Sequence, residues 1–129
     1  MANSFDAMGS ALYAKIAPID GSAIYDTVAP STVTPPYDIF QRVDGVDWYT
    51  FNSSGEDLLY MVKCVDDRYW PHRAQGRYGT IHATLQDASL TLTGFSQLRM
   101  RRVNTIGPYT DNEGFWHIGG VYVCELVPT

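Results

Sequence analysis

Two segments of the chain place apolar residues at helical spacing. In the first, "SFDAMGSALYAKIAP", they recur every three or four residues, Ser4 is a suitable N-cap and Pro18 ends the segment. In the second, "WPHRAQGRYGTIHATLQDA", a continuous apolar stripe follows Pro71. Gly76 and Gly79 lie inside this second helix and each cost about 1 kcal/mol relative to alanine, so they indicate a close backbone approach or a later helix start. The two stripes consist of Phe5, Met8, Leu12 and Ile16, and of Ala74, Tyr78, Ile81, Leu85 and Ala88.

Shorter apolar runs predict the strands. The run "LLYMVKCV" (58–65) is apolar on both faces except at Lys63, which is typical of a central strand that is covered on both sides. "AIYD" and "YDIFQRV" predict two further strands, "DGVDWYTFNSSGED" a loop, and "SLTLTGF" a short strand and turn. "QLRMRRVNTI" and "FWHIGGVYVCELV" flank the turn-rich "GPYTDNEG" and predict a long antiparallel hairpin. In its second strand, Gly119 and Gly120 indicate a bulge or a close contact with another backbone.

The order of these elements predicts one α+β domain spanning residues 1–129. We expect an antiparallel sheet of about four to five strands, with both helices packed on one face. Two helices cannot cover both faces of the doubly apolar central strand. The other face of the sheet is therefore expected to stay partly apolar, and exposed apolar patches commonly mark partner surfaces.

Composition and charge narrow the function classes. With 129 residues, 45% of them hydrophobic, the chain has the size and composition of a folded domain, and its net charge of −5 disfavours a free-standing DNA-binding protein. The charge is divided, since residues 1–67 carry −7 and residues 68–129 carry +2. This split is either averaged out by folding or produces an acidic and a basic flank suited to head-to-tail contact between copies. The sequence shows neither a signal peptide nor an apolar run of the roughly 20 residues that span a bilayer.

The stretch "QLRMRRVNTIG" carries three arginines in four positions. On a strand, Arg99 and Arg101 point to one face, while Arg102 shares the other face with Leu98 and Met100. The three arginines therefore do not form one basic patch, and no aromatic residues alternate with them as in a nucleic-acid-binding strip. We expect them to form ion pairs with carboxylates, either within the sheet or on a neighbouring subunit.

The sequence offers little that resembles a catalytic or metal site. Asp66, Asp67 and His72 can be arranged as an acid–base set, but adjacent carboxylates at a strand exit more often cap the following helix. The three histidines lack metal-ligand spacing, and we expect no metal and no cofactor. Cys64 and Cys124 lie far apart inside apolar runs, as buried free thiols do. A small ligand-binding or enzyme module remains an alternative, with an aromatic pocket formed by Tyr60, Tyr78 and Trp116.

The succession of segments resembles the tail terminator (tail completion) proteins of long-tailed bacteriophages. An N-terminal helix is followed by "IYDTVAPSTVTPPYDIF", then by "EDLLYMVKCVD", "RAQGRYGTIHATLQDASLTLTG" and "DNEGFWHIGGVYVCEL", in the order of that family. The resemblance covers nearly the whole chain, although each motif is short. The cluster "LRMRR" and the loop "VDWYTFNSSG" match no motif of the family.

This resemblance implies a structural virion protein without enzymatic activity, present in the host cytoplasm during assembly. Members form a ring, typically of six subunits, that ends the tail tube, contacts the tail tube protein and the head-completion protein, and lets DNA pass through its channel. Another neck component, such as a head-completion or adaptor protein, is the alternative within this class. We expect the interface between subunits to include Arg99, Arg101, Lys63, Asp66, Gly119 and Gly120.

Overall fold

A computed structural model describes residues 4–17, 23–26, 36–49, 54–67, 71–90, 92 and 94–128. Two helices and five strands are described: α1 (Ser4–Ile16), β1 (Ala23–Asp26), β2 (Tyr37–Tyr49), β3 (Ser54–Asp66), α2 (His72–Leu85), β4 (Phe95–Thr110) and β5 (Trp116–Pro128). The strands form one sheet in the order β1-β2-β3-β5-β4, so β3 lies at its centre. The predicted α+β class, the central position of "LLYMVKCV" and the long C-terminal hairpin are confirmed.

Both helices cover the same face of the sheet. The stripes predicted for them are buried from Met8 to Ile16 and from Ala74 to Leu85, with Leu12, Ile81 and Leu85 fully enclosed, and they pack into one core with the inward positions of β3 and β5. These inward positions are Leu58, Tyr60, Val62, Cys64, Tyr122, Cys124 and Leu126. Ala88 is partly buried, and the side chain of Phe5 lies outside the described part of the structure. The helix-facing residues of β3 and β5 are directly paired, as in Leu58 with Cys124. The apolar runs of these two strands therefore form the sheet side of the core, against which the helices pack.

Three elements differ from their prediction. The strand β1 is parallel to β2, so the sheet is mixed rather than wholly antiparallel. The Thr/Pro-rich segment between the two strands is too long to act as a tight hairpin turn.

The segment expected to be a loop after residue 43 instead continues β2 to Tyr49, where it pairs with β3 back to Ser54. A hairpin of this length tolerates polar residues because its ladder hydrogen bonds do not depend on side-chain type.

The segment between α2 and β4 also differs. The helix α2 ends at Leu85 rather than at Ala88, and no described residue of the predicted short strand "SLTLTGF" before Phe95 is in a strand. The Gln97 side chain holds this segment through two hydrogen bonds of 2.6 Å, accepting from the Leu90 amide and donating to the Ala88 carbonyl. A side chain that satisfies backbone groups in this way replaces strand pairing.

The end of α2 also contacts β4 directly. The Asp87 amide donates to the Met100 carbonyl at 3.0 Å, and the Arg102 amide donates to Oε1 of Gln86 at 3.1 Å. Because β5 pairs with the opposite side of β4, these two bonds occupy backbone groups on the outer edge of the sheet.

Candidate subunit interface

The sheet face that the helices leave uncovered is mostly apolar, and we call it the outer face. It contains Tyr37, Ile39, Leu59, Met61, Lys63, Val65, Val121, Val123 and Glu125, which the strand registers place side by side. Ile39, Val65 and Val123 are buried, whereas Leu59, Met61 and Val121 are only partly buried. The expectation that this face stays partly apolar is therefore confirmed. Apolar side chains on a sheet are normally covered by a second layer, and no described helix covers the partly buried positions here.

The arginines of β4 diverge as their alternation predicts. Arg99 and Arg101 are exposed, and the Arg99 guanidinium forms an ion pair with Oε1 of Glu125 on β5 at 3.0 Å. This is the expected pair within the sheet. No carboxylate among the described residues pairs with Arg101. Arg102 lies on the helix face and donates to the Tyr78 hydroxyl at 3.3 Å.

Gly119 and Gly120 occupy positions where a Cβ does not fit. At Gly119 it would lie 2.6 Å from the Cα of Lys63 and closer still to the Val62 carbonyl. At Gly120 it would lie 2.8 Å from Cδ of Arg102 and closer still to the Tyr78 hydroxyl. The predicted close backbone contact is confirmed for Gly119, and the backbone belongs to the chain's own central strand.

Asp66 lies away from the outer face. Its side chain is fully buried under α2, where Arg73 donates to both carboxylate oxygens at 2.5 Å. The same charged cluster contains Arg77, which pairs with the buried Asp38 and reaches Asp66 at 4.0 Å. The carboxylate is thus used to attach the first turns of α2 to the sheet. Asp67 joins this cluster through Arg73 at 3.5 Å, and no described contact links His72 to either carboxylate, so the acid–base set does not form.

A hydrogen-bonded chain of polar side chains crosses the core between α2 and the sheet. The Tyr122 hydroxyl lies 2.8 Å from both the Tyr78 hydroxyl and Nδ1 of His82. Because Arg102 can only donate, the Tyr78 hydroxyl accepts from Arg102 and donates its own hydrogen to the Tyr122 hydroxyl. The Tyr122 hydroxyl in turn donates to Nδ1 of His82. Burial, and then the nearby Arg102 charge, lower the pKa of His82; burial and the bond with Tyr78 raise the pKa of Tyr122. The sequence showed Tyr78 on the apolar stripe and did not reveal this chain.

These bonds bear on the alternative of an aromatic pocket. The hydroxyl of Tyr78 and the ring of His82 bond to Tyr122, and Tyr60 is buried among the core residues. A groove of about 550 Å³ lies elsewhere, along the segment between α2 and β4 at residues such as Leu90, Phe95 and Gln97. Its lining includes none of Tyr60, Tyr78 and Trp116.

At the far end of the outer face, His117 packs between Tyr109 and Asp111. The rings of Tyr109 and His117 are stacked, with centroids 4.9 Å apart and planes at 3°. Nε2 of His117 lies 2.7 Å from Oδ2 of Asp111, whose other oxygen accepts from the amides of Glu113 and Phe115. The bond with His117, followed by these amides, lowers the pKa of Asp111. Nδ1 of His117 is buried without a described hydrogen-bond partner, although the residue is only 8% exposed.

The remaining candidate groups show no catalytic arrangement. Cys64 and Cys124 are buried free thiols, as predicted, and burial raises the pKa of Cys124 to about 12. The described residues contain no group of three or more His, Cys, Asp or Glu side chains placed to hold a metal ion. Neither described helix has the length and apolar character needed to cross a membrane.

Comparison with known proteins finds a similar fold among solved structures. No protein-family model matches the chain, and no curated protein sequence matches it. Among solved structures, the fold is similar to that of a chain in the virion of a native gene transfer agent (GTA) particle, with a TM-score of 0.85. The match covers 98% of this chain and 99% of that chain, and 16% of the residues are identical. At this level of identity the likeness concerns the fold.

Proposed function

We propose that this chain is a structural virion protein that forms a ring at the head-proximal end of a phage or phage-like tail tube. The observation that carries the proposal is the outer face, on which Leu59, Met61 and Val121 remain partly exposed across the two central strands. Covering such a face contributes about 25 cal/mol per Å² of apolar surface. Association with further protein subunits provides that cover.

Two further observations support a place in a virion. The solved chain with the similar fold is part of the virion of a gene transfer agent particle, and the likeness extends over almost the full length of both chains. The order of sequence segments resembles tail terminator proteins, which belong to the same class of particle. The terminator role is the finer part of the proposal, and the expected ring has six copies as in that family.

The geometry of a ring accounts for the charged residues on the outer face. A closed ring requires a head-to-tail interface, in which one surface of a subunit meets a different surface of the next. Lys63 and Arg101 have no carboxylate partner among the described residues, so we assign them, together with Arg99, to contacts between subunits. Asp66, Gly119 and Gly120 are enclosed by their own chain, and we assign them to shaping the subunit.

The proposed ring has three kinds of neighbour. One rim binds the tail tube protein and stops its polymerisation, and the other binds the head-completion or neck protein. DNA passes through the hole without sequence-specific binding. The chain's net charge of −5 suits such a channel, because an acidic wall repels phosphates and lets DNA slide.

Deleting the gene from the genome that encodes this chain tests the terminator role. We expect tails of uncontrolled length that lack heads, because nothing would stop the addition of tube subunits; negative-stain images give the length distribution. Tails of normal length would refute the role. Tails of normal length without heads would instead favour the alternative, a head-completion or adaptor protein.

Charge reversal tests the assigned residues. Replacing Arg99 and Arg101 by glutamate is expected to weaken ring formation by roughly tenfold at low salt, with a smaller effect at high salt, because exposed charges are screened. Native mass spectrometry measures the oligomer, and Lys15→Glu on α1 is the matched control. Unchanged assembly together with weaker retention of DNA in the particle would restore a nucleic-acid-binding role for this stretch.

A further inference from the structure

The solvent-exposed side of α2 carries no charged residue between His72 and Asp87. Its exposed positions are Gln75, Gly76, Gly79, Thr80, Ala83 and Gln86, which lie on one side of the helix. The two arginines of this helix turn away from that side, toward Asp66 and Asp38. The exposed face of a surface helix is normally charged or polar. This side of α2 holds only small or uncharged polar residues, so no charge has to be desolvated when it packs on another surface.

No contact among the described residues requires glycine at positions 76 and 79. A Cβ added at either position would meet nothing within 4 Å, so neither of the two explanations expected from the sequence applies inside the subunit. Each glycine nevertheless lowers helix stability by about 1 kcal/mol relative to alanine. Glycine at a surface position permits another backbone to approach closely.

An independent feature on the opposite side of the molecule also lacks a partner. On the outer face, Nδ1 of His117 is buried without a described hydrogen-bond partner, in a residue that is 8% exposed. It lies beside the partly buried apolar positions of β3 and β5. Buried polar groups are almost always hydrogen-bonded, so this end of the outer face holds an unsatisfied polar atom among its apolar side chains.

We propose that the α2 side of one subunit packs on the outer face of the next subunit, so that each sheet is covered by its own helices on one face and by a neighbour's helix on the other. This inference rests on the proposed ring and specifies its interface. The glycines allow α2 to approach the sheet, and the uncharged polar side chains of Gln75 and Thr80 suit a partly apolar face that contains His117.

The occupant is a second copy because each chain carries both surfaces, and they lie on opposite sides of a two-layer domain. Packing of this kind is heterologous, and it forms a closed ring when the rotation between successive copies divides a full turn evenly. The charges are complementary as well. The exposed Asp87 ends the uncharged side of α2, and the outer face contributes Lys63 and Arg101, neither of which has a carboxylate partner among the residues described.

Cross-linking between two variants tests this arrangement. Gly79→Cys and Met61→Cys are made in separate chains, co-expressed, and treated with a short bismaleimide, both as purified protein and as assembled particles. The native cysteines are buried and stay unmodified. We expect cross-linked dimers that contain one chain of each variant. Placing both substitutions in one chain should give a ladder that ends at the ring size.

Three other results of the cross-linking overturn the proposal. Dimers formed by Met61→Cys alone would mean that two outer faces pack together, and dimers formed by Gly79→Cys alone would mean that two α2 helices do. No cross-link in either sample would mean that these surfaces do not meet. A mixed dimer combined with normal tails in the deletion strain would refute the terminator role and leave the interface intact.

A second measurement separates the interface from folding. Gly76→Glu is compatible with a helix and leaves the subunit folded, but it should weaken self-association at least roughly tenfold, which corresponds to about 1.4 kcal/mol. Ser10→Glu on the exposed side of α1 is the matched control and should have no effect. Equal association of the two variants would contradict the proposal.

Discussion

Gly120→Ala is expected to destabilise the subunit through one identifiable clash. The added methyl group would fall against the Tyr78 hydroxyl, at a separation that side-chain carbons do not adopt, and 2.8 Å from Cδ of Arg102. The arginine side chain can move, but the Tyr78 hydroxyl is held at 2.8 Å from Tyr122. Relief of the clash therefore breaks the hydrogen-bonded chain in the core.

The expected cost follows from three contributions. Forcing a methyl group into a packed core costs about 1 to 3 kcal/mol, and each broken buried hydrogen bond about 1 kcal/mol. Replacing glycine by alanine in a strand returns about 0.5 to 1 kcal/mol. The free energy of unfolding should therefore fall by about 3 kcal/mol, which lowers the melting temperature by about 10 °C in a domain of this size.

A double-mutant cycle with Tyr78→Phe tests whether Tyr78 is the cause. Phenylalanine removes the hydroxyl and makes room for the methyl group, so Gly120→Ala should cost about 1 kcal/mol in that background. Urea unfolding of the four proteins, followed by circular dichroism, measures the coupling, which we expect to be about 2 kcal/mol. Gly76→Ala is the control, because its Cβ meets nothing and should raise stability by about 1 kcal/mol. Additivity within about 0.5 kcal/mol would refute the assignment of the clash to Tyr78.

The other predictions concern charges. Asp66→Ala removes the two short hydrogen bonds of Arg73 and leaves Arg77 with Asp38. Because Arg73 is partly exposed to water, the free energy of unfolding should fall by about 1.5 to 3 kcal/mol; a loss below 1 kcal/mol in urea unfolding would contradict this. The pKa of Asp111 is lowered in the folded state, so as pH falls the unfolded chain binds this proton before the folded chain does. The stability that ionised Asp111 contributes is therefore present above the unfolded pKa of about 4 and is lost as pH falls below it. Thermal unfolding from pH 6 to pH 3 should show a smaller decline in Asp111→Asn than in the unchanged protein. The pKa of His82 is also lowered, so its protonation opposes folding, and stability should decrease as pH falls below about 6.5; His82→Gln should flatten the stability curve between pH 7 and pH 5, and an identical curve would refute the effect.

Periodicity was enough to predict the core. The stripe from Ala74 to Leu85 and the doubly apolar run of β3 each place large side chains on known faces, so layer order and the uncovered face followed from the sequence. The local sequence pattern could not reveal that β2 continues to Tyr49. The last residues of β2 are held by backbone pairing with β3, and this pairing leaves no apolar alternation in the sequence of β2. The charged cluster of Asp66 was missed for a similar reason, since Asp38 is 39 residues away from its partner Arg77.

The residues assigned to the subunit interface remain a prediction, but the structure shows where each of them lies. Alternation along β4 correctly separated Arg99 and Arg101 from Arg102. It could not tell that Gly119 and Gly120 serve contacts within the subunit, because a glycine looks alike in sequence whichever backbone it approaches. The unpartnered nitrogen of His117 had no signal in the sequence at all, since it depends on the stacking of Tyr109 and on the position of Asp111.

The two hydrogen bonds from the end of α2 to β4 affect how the protein behaves when it is abundant. Met100 and Arg102 use backbone groups on the outer edge of the sheet to bind Asp87 and Gln86, and the ladder with β5 is irregular on both sides of this point. Backbone groups engaged in this way cannot pair with the strand of another molecule, and edge-to-edge growth is a usual route to fibrils. At high concentration the protein is thereby less prone to open-ended aggregation through this part of β4.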